Sequence, residues 1–237
     1  MRRDELKSLF DQQAAVYDRQ WAKMAPIREA LYYLLESVFA GLPADARLLC
    51  VGVGTGAELA HLAARFPGWR FTAVEPSGAM LAVCRQRAEA GGFASRCTFH
   101  EGYLESLPAD GLHDGATCFL VSQFFLEREA RSGFFRAIAA RLVPGGILAS
   151  TDLASDQGSR DYAALLEAWF NMMGAAGHPR EGLERMRKAY AEDVAVLPET
   201  TVASIIASGG FEAPVRFFQA GLIHGWFARK VRPVQGR

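Results

Sequence analysis

The sequence predicts an α/β protein built on a parallel sheet. Three observations carry this. Short, wholly apolar runs alternate with runs of helical periodicity. Glycine or proline breaks separate them at Gly52–Gly56, Pro67-Gly68, Gly91-Gly92 and Pro144-Gly145-Gly146. The chain also closes on two strand-like runs joined by a short turn. With 237 residues, half of them apolar and 22% charged, it can bury a core of its own, and a single domain, 1–237, is the expectation.

In chain order, Leu6, Leu9, Phe10, Ala14 and Tyr17 recur at helical spacing. Pro26 then opens a second helical run through Leu31, Leu34, Leu35 and Val38, which Gly41-Leu42-Pro43 stops. These form an N-terminal cap over about residues 1–40. Leu48 to Val53 is too apolar for a surface strand, and a glycine turn and the helix Glu58 to Arg65 follow it. The unit repeats as strand Arg70 to Val74, helix Ser77 to Glu89 and strand Cys97 to His100. Ala116 to Val121 reads as a fourth strand and Arg131 to Leu142 as a helix. Pro144-Gly145-Gly146 reads as a turn into a fifth strand, Ile147 to Thr151. From about 155 to 197 the pattern is helical but broken by Gly174, Gly177, Pro179 and Gly182, the mark of a helical lid. Helix Glu199 to Ser208 and strands Val215 to Gln219 and Ile223 to Lys230, turning at Ala220-Gly221, complete the chain.

Lys plus Arg equals Asp plus Glu, 26 each, so no global field draws a polyanion and nucleic acid is not indicated as a partner. The start lacks a signal-like apolar block and no apolar run reaches the about 20 residues of a membrane span, so the expectation is a cytoplasmic protein without membrane contact. The four cysteines form no CxxC pair, and the five histidines pair at ligand spacing neither with one another nor with cysteine, so no metal is expected. A Gly-x-Ser-x-Gly elbow and a lysine-bearing phosphate loop are both missing. A homodimer is left open.

The strongest chemical signal is Leu48-Leu49-Cys50-Val51-Gly52-Val53-Gly54-Thr55-Gly56, a buried strand entering alternating glycines. Glycine belongs where backbone turns with positive φ and a ligand approaches closer than a Cβ allows. Glu75 closes the next strand 19 residues past Gly56, where a carboxylate can accept from both hydroxyls of a ribose. A dinucleotide site and a purely structural turn fit these features too.

With Phe99-His100-Glu101-Gly102-Tyr103 and Leu142-Val143-Pro144-Gly145-Gly146-Ile147 downstream, the order of motifs resembles the class I S-adenosylmethionine-dependent methyltransferases over about residues 10–230. The closing hairpin separates this family from dehydrogenases of similar start. The resemblance implies a Rossmann-like seven-stranded sheet of order 3-2-1-4-5-7-6 with S-adenosylmethionine across the carboxyl ends of its strands. It implies that Gly52, Val53, Gly54, Thr55 and Gly56 line the methionine part. Glu75 would hold the ribose, Pro76, Ser77 and Met80 would lie near adenine, and Gly102, Tyr103 and Leu104 would flank its other side. Val121, Ser122 and Gln123 would face the reactive centre. The sequence departs from the family in two places: Cys50 replaces an acid of the first motif, and Tyr103 replaces an acid after Gly102.

Phe10-Asp11-x-x-Ala14-x-x-Tyr17-Asp18 resembles a segment that many small-molecule methyltransferases lay over the cofactor, which makes Tyr17 a pocket candidate. The implied function is methyl transfer to a small-molecule acceptor, with Tyr17 or His178 as candidate bases and Trp21, Trp169, Phe170 and Trp226 as acceptor-pocket aromatics. A second reading is a carboxy-S-adenosylmethionine synthase-like enzyme of tRNA wobble-uridine modification. Phe125-Leu126-Glu127 and Arg187, a candidate for binding an extra carboxylate, support it, whereas Arg28 and Leu120 replace that family's tyrosine and asparagine. A third is a catalytically silent cofactor-binding protein that keeps Gly52, Gly54, Gly56 and Glu75.

Overall fold

The computed structural model describes residues 2–177 and 179–232. Its sheet runs β1 (Arg47–Val51), β2 (Arg70–Glu75), β3 (Cys97–Glu101), β4 (His113–Phe119), β5 (Leu142–Leu153), β6 (Val215–Ala220) and β7 (Ile223–Arg229). The spatial order is β3-β2-β1-β4-β5-β7-β6, the expected one. The first five strands are parallel and β7 is antiparallel to β5 and β6.

β1 shows why apolar runs make central strands. Leu48 and Cys50 point into one cluster with Leu35, Phe39, Leu59, Leu62 and Trp69, and Leu49 and Val51 into another with Phe135, Ile138, Ile205 and Trp226. Both faces are therefore covered, as a parallel sheet requires. Helices α3 (Ala25–Phe39), α4 (Ala57–Arg65) and α5 (Gly78–Ala90) cover the first face. Helices α6 (Arg128–Ala140) and α9 (Glu199–Ser208) cover the second. Cys50 thus fills the core where the family pattern has an acid.

Four boundaries differ from the sequence reading. The first helix stops early, as α1 (Arg3–Gln13), and a turn leads to the short α2 (Tyr17–Gln20). β4 ends at Phe119 because Leu120 takes φ +57°, which an extended strand cannot continue. Pro144-Gly145-Gly146 is an excursion inside β5: Leu142 pairs with His113 and Ile147 with Gly115, so the extra residues bulge outward while the strand continues. The closing turn is Gly221-Leu222, since Ala220 still pairs with Ile223.

Between β5 and α9 lie α7 (Arg160–Ala175), capped by the Ser159 hydroxyl, and α8 (Arg180–Glu192). Trp169, Phe170 and Met173 of α7 bury against Met24, Leu153, Val194, Val196 and Leu222, with Trp21, Leu120 and Phe124 at the margin. The expected lid segment therefore packs above the carboxyl end of β5 and the loop after β4.

Candidate functional site

The carboxyl ends of β1 and β2 meet the N-terminal segment here. After Val51 the chain turns through Gly52, Gly54 and Gly56 with φ of +66°, +55° and +76°. Gly52 and Val53 donate N–H to the Val74 carbonyl at 2.8 and 3.1 Å. A Cβ at Gly52 would lie 2.4 Å from Val121, and one at Gly56 2.4 Å from Cys84 Sγ. A Cβ at Gly54 would meet nothing within 4 Å. Two of these glycines therefore serve packing, and Gly54 borders open space.

Glu75 is buried beside that space. Its Oε2 accepts from Gly54 N–H and its Oε1 from Ser77 N–H, each at 2.9 Å. Burial raises its pKa, while those two donors oppose the shift. Each oxygen keeps a second lone pair for an outside donor. Gly54, with space for backbone contact, and Glu75, an acid offering two acceptors across it, fit the adenosine of S-adenosylmethionine.

Ser77 caps α5 by accepting from Met80 N–H at 3.1 Å, and Met80 is buried. Gly102 N–H bonds the Glu75 carbonyl at 3.0 Å, which brings Gly102, Tyr103 and buried Leu104 to the same strand edge. Tyr103 donates its hydroxyl to the Arg3 carbonyl at 3.1 Å, with the Arg3 guanidinium over its ring. In place of an acid, this position tethers α1.

Two residues that the sequence reading quoted without assigning a role fasten the N-terminal segment here. Asp11 accepts from Ser77 Oγ at 2.6 Å, Ala79 N–H at 3.3 Å and Lys7 Nζ at 2.9 Å, and these donors lower its pKa. Asp18 accepts from Thr55 Oγ1 at 2.8 Å and pairs with Arg87. Their seven-residue spacing, two helical turns, was the available signal.

The Tyr17 phenol lies among Glu75, Asp18, Glu58 and Arg28. Burial and the acids push its pKa up to about 12, so the phenol holds its proton at neutral pH. Glu58, buried in the first turn of α4, escaped the sequence reading. Burial drives its pKa up to about 7 against the pull of the N–H groups of Glu58 and Leu59 and of Arg87.

Other expected site residues point elsewhere. The Ser122 hydroxyl donates to Asp152 at 2.8 Å and accepts from Arg131 Nε at 2.9 Å, in a fully buried group closed by an Arg131–Asp152 ion pair at 3.0 Å. Gln123 Oε1 accepts from Leu153 N–H at 2.9 Å, and its carbonyl accepts from Ala195 N–H at 2.8 Å. Neither side chain faces a reactive centre; both brace β5 and the end of the lid segment. Val121 packs over Gly52. Arg187 is exposed on α8 and stacks over Phe170 at 4.0 Å, a contact between α7 and α8. Trp226 lies in the core under α6 and α9, outside any acceptor pocket. His178 lies outside the described residues. Among the described residues no three metal-ligating side chains converge, and no helix is long and apolar enough to cross a membrane.

Comparison with known proteins agrees with this geometry. Residues 48–146 match the model of a methyltransferase domain family. The sheet order is the one that the class I methyltransferase resemblance implies. An uncharacterised protein of Synechococcus sp. is 35% identical over 148 residues, 62% of this chain and 34% of that protein. A putative O-methyltransferase from Nostoc punctiforme superposes with a TM-score of 0.65 at 17% identity, over 93% of this chain and 60% of that one. PigF with SAH superposes at 0.57 and 19% identity, over 78% of this chain and 50% of that one. The chain thus spans about a third of the curated relative and half to three fifths of these solved chains. The matched methyltransferase segment runs from β1 into β5 and contains the glycine turn, Glu75 and Gly102.

Proposed function

We propose that the protein is an S-adenosylmethionine-dependent methyltransferase acting on a small-molecule acceptor. The observation that carries this reading is the Glu75 carboxylate, fixed by Gly54 and Ser77 N–H beside the open face of Gly54. Bound S-adenosylmethionine would supply a methyl group already activated on a sulfonium. The protein's own part is then to position and to exclude water. Glu75 accepts from the ribose hydroxyls, and Gly54 lets the chain approach the rest. Trp21, Leu120 and Phe124 supply an apolar, aromatic margin for an acceptor, which supports a small organic molecule over a nucleic acid. Tyr17 holds its proton and serves as a donor. Zero net charge points the same way.

Titration calorimetry tests this directly. S-adenosylmethionine and S-adenosylhomocysteine should bind in the micromolar range, and NAD should not. NAD binding in the absence of either would reverse the reading. With labelled methyl donor, transfer to members of a small-phenol and small-acid panel should exceed transfer to tRNA.

A further inference from the structure

The amino ends of the strands, opposite the glycine turn, gather positive charge. Arg47 opens β1, Arg70 opens β2 and Arg96 stands just before β3, with β2 between the other two strands. Arg47 and Arg70 are register partners, so their side chains leave the same face of the sheet. Like charges placed side by side repel, yet among the described residues no carboxylate pairs with any of the three guanidinium groups. Two of the groups are held by backbone. Arg47 Nη2 donates to the Asp110 carbonyl at 2.9 Å, and a Cβ at Gly111 would lie 2.6 Å from its Nη1. Arg96 donates to the Ala63, Trp69 and Phe66 carbonyls at 2.8, 2.9 and 3.3 Å. The Arg70 side chain has no partner among the described residues, and Asp114, beside the cluster, accepts from the Arg47 backbone N–H at 2.8 Å. The three arginines, with Thr72, Ser95 and Thr98, line a cavity of about 120 Å³. Thr72 Oγ1 lies 3.0 Å from His113 Nε2, whereas the Ser95 and Thr98 hydroxyls have no partner among the described residues.

We propose that this cavity binds a phosphate-class dianion, at a site separate from that of the nucleoside. Guanidinium groups engage phosphate oxygens through paired N–H donors, and the Ser95 and Thr98 hydroxyls add two more. Carbonyl contacts fix Arg47 and Arg96 without cancelling their charge, so part of the ordering cost of binding is met in advance. Arg70, free between them, supplies the closing contact. Three guanidinium charges against the one carboxylate of Asp114 leave two to balance, which a dianion does and a single carboxylate does not. The volume falls below the about 300 Å³ at which pockets for whole small molecules begin. The bound group is therefore inorganic phosphate or the terminal phosphate of a molecule that extends into solvent. Glu75 ends the strand that Arg70 begins, about 16 Å away, so the inference stands apart from the methyltransferase reading.

The test titrates wild type, Arg70→Met, Arg70→Lys and Arg160→Met with inorganic phosphate and with glycerol 3-phosphate, at an ionic strength held constant with sodium chloride. Arg160 opens α7, after the carboxyl end of β5, and controls for net charge. Wild type and Arg160→Met should bind alike, Arg70→Met about tenfold or more weakly, and Arg70→Lys in between. Tighter binding of glycerol 3-phosphate makes a phosphomonoester the source, and tighter binding of inorganic phosphate makes it the free anion; both support the site. S-adenosylhomocysteine should bind wild type and Arg70→Met equally. In phosphate-free buffer Arg70→Met should melt no lower than wild type, because a repulsion is relieved. Added phosphate should then raise the melting temperature of wild type and leave that of Arg70→Met in place. Wild type that binds neither phosphate nor its ester overturns the proposal, as does equal loss in Arg160→Met and Arg70→Met. Binding of tRNA through Arg70, with neither small anion bound, overturns it in favour of a polyanion surface.

Discussion

At the scale of single residues, the three glycines of one motif have separable duties. Gly54→Ala meets no protein atom, so its folding cost is the positive φ alone, about 1 kcal/mol. Gly56→Ala adds a collision with Cys84 and should destabilise by several kcal/mol. Thermal melts should therefore leave Gly54→Ala folded and Gly56→Ala severely weakened, while calorimetry shows Gly54→Ala deficient in S-adenosylhomocysteine. Glu75→Ala should weaken that binding by about 1–3 kcal/mol, and wild-type affinity in this variant would place the nucleoside elsewhere. Glu58 adds a pH dependence. Its pKa rises from 4.5 unfolded to about 7 folded, so the native state holds the extra proton between those values. Stability from this group is full at the acid end and falls as pH rises towards 7 and above. Glu58→Gln should raise the melting temperature at pH 8 more than at pH 5.5, and an equal effect at both would show that Glu58 ionises normally.

At the scale of elements, α1 and α2 are short, and Asp11 and Asp18 fix them through side chains more than through burial: α1 buries no residue fully. Asp18→Asn weakens the ties to both Thr55 and Arg87. Hydrogen exchange over residues 3–20 should accelerate about tenfold or more while the global melting point moves little, because exposed segments open locally. Loss of protection throughout the sheet would contradict a local strap. Helix α7 packs against Trp21, Leu120 and Phe124, and exchange over α7 and α8 should slow when nucleoside and acceptor bind together.

At the scale of the whole molecule, the fully buried Arg131–Asp152–Ser122 group binds α6, β5 and the loop after β4 together. Arg131 Nη1 extends it to the Ala195 carbonyl beyond α8 at 3.2 Å. Removing one partner strands a charge, so Asp152→Ala should cost about 3–5 kcal/mol in denaturant unfolding. Arg131→Met together with Asp152→Leu should cost much less, because no lone ion remains. A double variant as weak as the single one would mean that the contacts around the group, and not the stranded charge, set the cost.

The alternation of apolar runs, the glycine breaks and the closing hairpin determined the α/β class and its elements from sequence, because each is a local pattern with a local cause, while the strand order followed from the family resemblance. Glu75 was legible likewise, since a strand end and a glycine turn fix where its carboxylate lies. Ser122 and Gln123 were not: their position in the chain puts them at the reactive edge, but an ion pair formed between α6 and β5 draws the Ser122 side chain inward. The early end of β4 was equally hidden, since nothing in Leu120 itself announces a left-handed backbone. Asp11, Asp18 and Glu58 acquire their roles from neighbours tens of residues away in the chain. Only the tertiary structure decides which charges are spent on one another.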